Sequence, residues 1–249
     1  MQWMDSAYES MQELTGYTPI DGKLVMIKEV PEHPWFAYVD GAGLPVYMNT
    51  KRLGGVLDAI DNQGIAPTGW VHEMGHFFDI LGKWYYWDSA SVEWQANWKA
   101  CYAYEVISPF FKIPFGPNKS LAYWPEHEVL LYGRQWTDSF FLFTGDTYLA
   151  DPSRTWDTIS SDELHSFFQR LVRVYGWEPF KRWYRTYDRF EKLDLKEPGT
   201  PEGTIQLIAA ILSRETDSDL VPVFQRWRMP VTYEDIAAMN KKYPTAGQD

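Results

Sequence analysis

The segment HEMGH at residues 72–76 constrains this sequence more than any other. On an α-helix, side chains four residues apart lie on one face, so His72 and His76 can direct both imidazoles at one metal ion, with Glu73 beside them. With 5 histidines among 249 residues, random placement gives an expected count of roughly 0.006 such motifs. The pattern therefore predicts a metal-binding helix, and a buried structural pair of histidines is the alternative.

A third ligand must come from another part of the chain, because a catalytic zinc site has three protein ligands and keeps a fourth position for water. The chain has 1 cysteine, so the ligands must be histidines and carboxylates. Asp79 could accept a hydrogen bond from the free N–H of a ligating histidine, or it could be a solvated or capping residue. Glu93 is the better candidate for the third ligand, because it lies in a segment with helical periodicity that follows Ser and Asp capping signals.

These residues also resemble a known pattern. HEMGH, sixteen intervening residues and Glu93, followed four residues later by Asn97, resemble the enhancin-like, mucin-active zinc metallopeptidases, which are of the gluzincin type. The segments VYGWEPFKRWYRTY (174–187) and DLVPVFQRWRMPVT (219–232) are similar to later helices of that family, with Arg228 at a position where glycine is common. The resemblance covers most of the chain, and the N-terminal strands carry it least.

The resemblance implies a site with one zinc ion per chain, bound by His72, His76 and Glu93. Glu73 would be the general base that takes a proton from the zinc-bound water, and Asn97 would support a ligand without binding the metal itself. The fold implied is that of a zincin-like catalytic domain.

The resemblance further implies an enzyme, a metallopeptidase that hydrolyses peptide bonds of O-glycosylated, mucin-like proteins or peptides. Such an enzyme is expected to be secreted or on the cell surface. Two alternatives stay open: a general zinc endopeptidase or aminopeptidase that needs no glycan, and a non-catalytic binding module of the same fold. The presence of Glu73 argues against the module, because metal binding alone does not need it.

The patterns of apolar residues predict an α+β fold. We expect a single domain over residues 1–249, with a small mixed N-terminal lobe at 1–85 and a mainly helical lobe at 86–245. Three apolar runs at 23–27, 35–39 and 45–49 predict a small antiparallel sheet, in which 35–49 forms either an internal hairpin or an edge for an extended substrate. Predicted helices begin at or beside the capping or helix-starting residues Ser160, Pro179, Thr200 and Thr232.

Composition narrows the class of partner. The net charge of −11 and the pI near 4.9 argue against a nucleic-acid partner. We find neither an apolar run long enough to span a membrane nor the basic and apolar regions of a signal peptide in this chain. A helical pattern that starts at Trp3 suggests a domain excised from a longer protein.

Aromatic residues flank the predicted third ligand on both sides, and we expect most of them to fill the core, with stacking on sugar rings as the alternative. They are Trp84, Tyr85, Tyr86, Trp87, Trp94 and Trp98. The donor that would stabilise a tetrahedral oxyanion is not fixed by the sequence. The candidates by residue type are Tyr102, Tyr104, His127 and His165.

Overall fold

The computed structural model describes residues 2–19, 26–32, 36–39, 45–63, 68–107, 113–115, 129–131 and 137–244. Helices α1 to α4 span Gln2–Thr15, Thr50–Gln63, Thr68–Phe77 and Ser89–Ile107. Helices α5 to α10 span Asp146–Ala150, Ser161–Tyr175, Glu178–Lys192, Pro201–Glu215, Val221–Arg226 and Tyr233–Lys242. Strands β1 to β5 span Ile27–Val30, Ala37–Tyr38, Val46–Asn49, Ile113–Phe115 and Val129–Leu131. The predicted α+β class is confirmed.

The chain forms two compact units, and neither is one continuous stretch of sequence. The first unit comprises Met1–Glu13, Tyr17–Ile80 and Gln95–Phe140. The second comprises Leu14–Gly16, Leu81–Trp94 and Phe141–Asp249. None of the helices in the described ranges combines the length and the apolar character needed to cross a lipid bilayer.

The three-stranded sheet of the first unit has the order β1-β3-β2. Strand β2 pairs antiparallel with β3, with Tyr38 opposite Tyr47, as expected for an antiparallel sheet and for the hairpin alternative. Strand β1 pairs parallel with β3, with Ile27 opposite Val46, so the prediction of an antiparallel sheet is wrong for this pair. The reason is that β3 inserts between the two earlier strands.

The order of the strands also decides which of them can present an edge. Because β3 is paired on both sides, only β2 of the predicted 35–49 segment can offer an edge to an extended chain. Strand β1 begins at Ile27, at the end of the predicted run, and residues 23–25 and 33–35 lie outside the described residues.

Helix α3, which carries the HEMGH motif, packs against strands β2 and β3 within the first unit. The Trp70 indole N–H donates to the Met48 sulfur over 2.9 Å. The ring of Phe36 lies directly against Gly69, where an added Cβ would come within 2.3 Å of it. The apolar side of α3 is therefore fixed to the sheet, with Val71, Met74 and Phe77 buried.

Four helices of the second unit, α6, α7, α8 and α10, begin where the sequence predicts, and α6 also ends where it predicts. Ser160 accepts a hydrogen bond from the Glu163 N–H, while the Glu163 carboxylate accepts one from the Ser160 N–H over 2.8 Å, so the predicted capping box is present. Gly176 ends the same helix with φ at +72°, a conformation that glycine adopts without steric cost. Thr232 and Asp235 form a second capping box at the start of α10.

Arg228, where the resemblance leads us to expect glycine, also adopts a left-handed backbone conformation, with φ at +57°. For a residue with a Cβ this conformation costs roughly 1–2 kcal/mol. Its guanidinium donates to the carbonyl oxygens of Tyr148 and Leu149 over 3.2 and 3.3 Å, and lies 4.8 Å from the centroid of the Tyr148 ring. These charge-assisted contacts offset the backbone cost and explain why arginine is accepted here.

Candidate metal centre

Helix α3 brings His72, Glu73 and His76 together. Potential ligand atoms of the three residues all lie within 4.8 Å of one another. The two imidazole rings meet edge to face, with centroids 4.9 Å apart and an interplanar angle of 89°. Glu73 is 8% exposed, while both histidines keep part of their surface exposed. Within the described ranges, this is the group of histidine and acidic side chains whose spacing suits a metal ion.

Both imidazoles are held through the same ring nitrogen. His72 Nδ1 donates to Asn97 Oδ1 over 2.8 Å, and His76 Nδ1 donates to Asp79 Oδ2 over 3.1 Å. A neutral imidazole that donates through Nδ1 carries its lone pair on Nε2, so each ring is left with Nε2 as the atom that can bind a metal. Asn97 and Asp79, named from the sequence as supports of the ligands, thus contact one histidine each.

Asn97 reaches His72 because helices α3 and α4 approach each other closely at Gly75. A Cβ added to Gly75 would lie 2.7 Å from the carbonyl oxygen of Ala96 and 3.0 Å from its Cα. The backbone of α4 therefore fills the space beside Gly75. The close approach places Asn97, the residue after Ala96, beside the histidine helix.

Asp79 makes a second contact through its other carboxylate oxygen. Its Oδ1 atom accepts a hydrogen bond from the ammonium of Lys99 on α4, whose side chain is fully buried. Burial alone would raise the pKa of the Asp79 carboxyl, but the Lys99 charge and the hydrogen bond from His76 bring that pKa below its ordinary value. Asp79 is therefore a carboxylate at neutral pH and acts only as an acceptor.

Glu93, the predicted third ligand, lies near the start of α4. Asp88 caps this helix by accepting the Ser91 N–H over 2.7 Å. Glu93 precedes Asn97 by four residues in α4, so both side chains are on one face of that helix, and the Glu93 side chain is exposed. Glu93 belongs to the second unit and is not one of the three clustered side chains, so its role as third ligand stays a prediction.

The side chains of the site suit zinc or another transition metal that binds imidazole better than calcium or magnesium. Zinc binds imidazole nitrogen and carboxylate oxygen, and its histidine ligands characteristically donate their second N–H to a carboxylate or carbonyl group. The Asp79–His76 and Asn97–His72 pairs provide both kinds of support. Calcium and magnesium, which prefer oxygen ligands alone, would not use two imidazoles.

The candidates for an oxyanion donor lie mostly in the core. Tyr102 and Tyr104 are 4% and 0% exposed. His165 is fully buried, its ring stacks on Phe141 at 3.6 Å between centroids, and burial holds its pKa well below the ordinary value. His165 is thus a neutral core residue of the second unit, and His127 lies outside the described residues.

The aromatic residues around Glu93 are mostly core residues, as expected. Trp84, Tyr85, Trp94 and Trp98 are fully buried, and Trp94 stacks on Phe168 with centroids 4.0 Å apart. Tyr86 and Trp87, by contrast, are partly exposed. These two are the members of the set that keep surface available to a ligand.

Lys99 was not predicted from the sequence to contact any residue of the site. The residue stands within NWKACYAY, where Trp98, Ala100 and Cys101 are all apolar. A lone lysine in such a segment indicates a buried ion pair, because a buried ammonium requires a partner of opposite charge. The partner itself, Asp79, is 20 residues away in the sequence, and only the fold identifies it.

Comparisons with known proteins support the fold and leave the family open. The sequence matches no protein-family profile and no curated protein. A crystal structure of a functionally unknown conserved protein from Bacillus anthracis str. Ames is similar, with a TM-score of 0.67 and 17% identity over 96% of this chain and 45% of that chain. A crystal structure of a mutant of a functionally unknown conserved protein from the same organism is also similar, with a TM-score of 0.68 and 15% identity over 96% of this chain and 44% of that chain. The chain thus spans less than half the length of these proteins, and the likeness extends to the fold alone.

Proposed function

We propose that this protein is a zinc metallopeptidase of the gluzincin type that hydrolyses peptide bonds in O-glycosylated, mucin-like proteins. The observation that carries the proposal is the clustering of His72, Glu73 and His76 on α3, with the Nδ1 atom of each imidazole already engaged. Each imidazole therefore keeps Nε2 as its metal-binding atom, and potential ligand atoms of the three residues lie within 4.8 Å of one another. A structural pair of histidines would also need acceptors for its ring N–H groups, but it would not need the Glu73 carboxylate beside it.

His72 and His76 would hold the zinc ion through Nε2, and Glu93 would complete the set of ligands. The assignment of Glu93 rests on the resemblance and on its place in α4, the helix that also carries Asn97. A bound zinc ion would supply a Lewis acid that polarises the scissile carbonyl and lowers the pKa of a water molecule.

Glu73 would do the proton transfer. A carboxylate oxygen of Glu73 accepts a proton from the attacking water, and the same oxygen then passes the proton to the nitrogen of the leaving amine. Because Glu73 is 8% exposed, its carboxylate is largely shielded from bulk water. Charges interact more strongly in such a shielded site than at an open surface. Asn97 and Asp79 orient the two imidazoles during these steps and take no proton themselves.

The substrate class rests on the resemblance of HEMGH and Glu93 to the enhancin-like, mucin-active enzymes. Tyr86 and Trp87, which are partly exposed and precede α4, supply aromatic faces of the kind that stack on sugar rings. Mucin-like substrates would place the enzyme outside the cell, as a secreted or cell-surface protein. A general zinc endopeptidase or aminopeptidase is the second candidate, and Glu73 favours either enzyme over a non-catalytic module.

The test of the substrate class uses one Ser/Thr-rich peptide, prepared with and without O-glycans and incubated with the zinc-loaded protein. We expect mass spectrometry to find fragments of the glycosylated peptide only. Cleavage of both forms would replace this proposal with a general zinc peptidase. Cleavage of neither form by protein that holds zinc would favour the binding module.

A further inference from the structure

Lys99 is a charged residue in a place where an apolar one would fit. Its side chain is 0% exposed, and its ammonium meets Asp79 Oδ1 inside the first unit. Removing two charges from water is costly, and well-packed apolar residues often stabilise a core as well as a buried ion pair does. Stability alone therefore gives no reason for a lysine at this position.

The contacts of Asp79 suggest what the lysine does. The two carboxylate oxygens are divided between two partners, with Oδ1 bound to Lys99 and Oδ2 bound to His76 Nδ1 at 3.1 Å. Asp79 follows the last turn of α3 and keeps 12% of its side chain exposed. Lys99 holds one oxygen inside, which fixes the direction of the other.

We infer that Lys99 is a positioning residue of the proposed zinc site, which acts on His76 through Asp79. This inference rests on the proposed function only in that the site binds zinc. The chain Lys99–Asp79–His76 fixes the imidazole of His76 by an ion pair, whereas His72 is fixed by the neutral amide of Asn97. Helix α4 therefore orients both histidines, one directly through Asn97 and one through Asp79.

A double-mutant cycle on the full chain separates positioning of His76 from a purely structural role of Lys99. The variants are Lys99→Met, Asp79→Ala and the double variant, and two quantities are measured for each. They are the zinc dissociation constant, by competition with a chromophoric chelator, and the melting temperature of the zinc-free protein. Lys192→Met, which removes an exposed ion pair with Asp188, is the matched control.

We expect Lys99→Met and Asp79→Ala each to weaken zinc binding by about 10-fold or more, the range seen when the support of a ligating histidine is lost. In the Asp79→Ala background, Lys99→Met should leave zinc affinity unchanged, because nothing remains to be positioned. The same change should raise the melting temperature there, because it removes a buried ammonium that has lost its carboxylate. Lys192→Met should alter neither quantity.

Two results would overturn the inference while leaving the zinc site intact. One is wild-type zinc affinity in Lys99→Met. The other is a zinc affinity that rises and falls with the melting temperature across all variants. A purely structural role of Lys99 predicts this result, with the double variant recovering both its zinc affinity and its melting temperature. If Lys99→Met alone fails to fold, the double variant still decides, since wild-type zinc affinity in it excludes positioning through Asp79. Absence of zinc binding by the wild-type protein would overturn the proposed function together with this inference.

Discussion

Replacing Glu73 with Gln is expected to lower kcat/KM for peptide cleavage by about 10²–10⁴-fold, the usual contribution of a positioned general base. Glutamine has almost the same shape as glutamate, but its amide cannot accept and return a proton at neutral pH. Because Glu73 is not one of the proposed ligands, the zinc dissociation constant should stay within about threefold of the wild-type value, well under the loss expected for a ligand or its support. The two measurements together separate the general base from a ligand.

Glu9→Gln is the matched control for this variant, because Glu9 is exposed on α1 in the first unit and the substitution is chemically the same. It should retain wild-type turnover. Substantial cleavage by Glu73→Gln would contradict the assigned role, and a parallel loss of zinc would show that Glu73 binds the metal.

Gly75→Ala is expected to destabilise the protein by about 1–3 kcal/mol, the range for overpacking in a closed core. The new Cβ would lie 2.7 Å from the Ala96 carbonyl oxygen, and backbone atoms cannot rotate away as a side chain does. Helices α3 and α4 must therefore move apart, which lengthens the 2.8 Å contact between His72 and Asn97. We expect urea denaturation to report the loss of stability and chelator competition to report weaker zinc binding.

Gly54→Ala tests whether the effect comes from the helix crossing. Gly54 is an exposed residue of α2, and a Cβ there would meet nothing within 4 Å. Alanine in an open helical position should stabilise the protein by roughly 0.5–1 kcal/mol, because it reduces the entropy of the unfolded chain. A Gly75→Ala variant as stable as the wild type would show that α3 and α4 are not tightly packed at this point.

The helices could be predicted because their signals are local. Ser160 with Glu163, and Thr232 with Asp235, are three residues apart, and each pair satisfies the free N–H groups of its own helix without help from the rest of the fold. The HEMGH spacing is local in the same way, since one turn of helix aligns the two histidines. Sequence alone was therefore sufficient to place the three clustered side chains on one helix.

Contacts between distant segments could not be read in this way. The parallel pairing of β1 with β3 depends on β3 inserting between β1 and β2, which no local pattern encodes. The ion pair of Lys99 with Asp79 joins two helical segments, and the contact of Asn97 with His72 depends on the α3–α4 crossing at Gly75. The apolar neighbours of Lys99 in the sequence indicate that it is buried, but they do not identify Asp79 as its partner.

We propose that His72 and His76 hold a zinc ion, and the zinc content of the purified chain tests this without relying on a substrate. Wild-type protein, the His72→Ala/His76→Ala double variant and the Glu9→Gln control are loaded with zinc, freed of excess metal by gel filtration and analysed by elemental mass spectrometry. The expected result is one zinc ion per chain in the wild type and the control, and almost none in the double variant. Equal zinc in all three proteins, or none in the wild type, would contradict it.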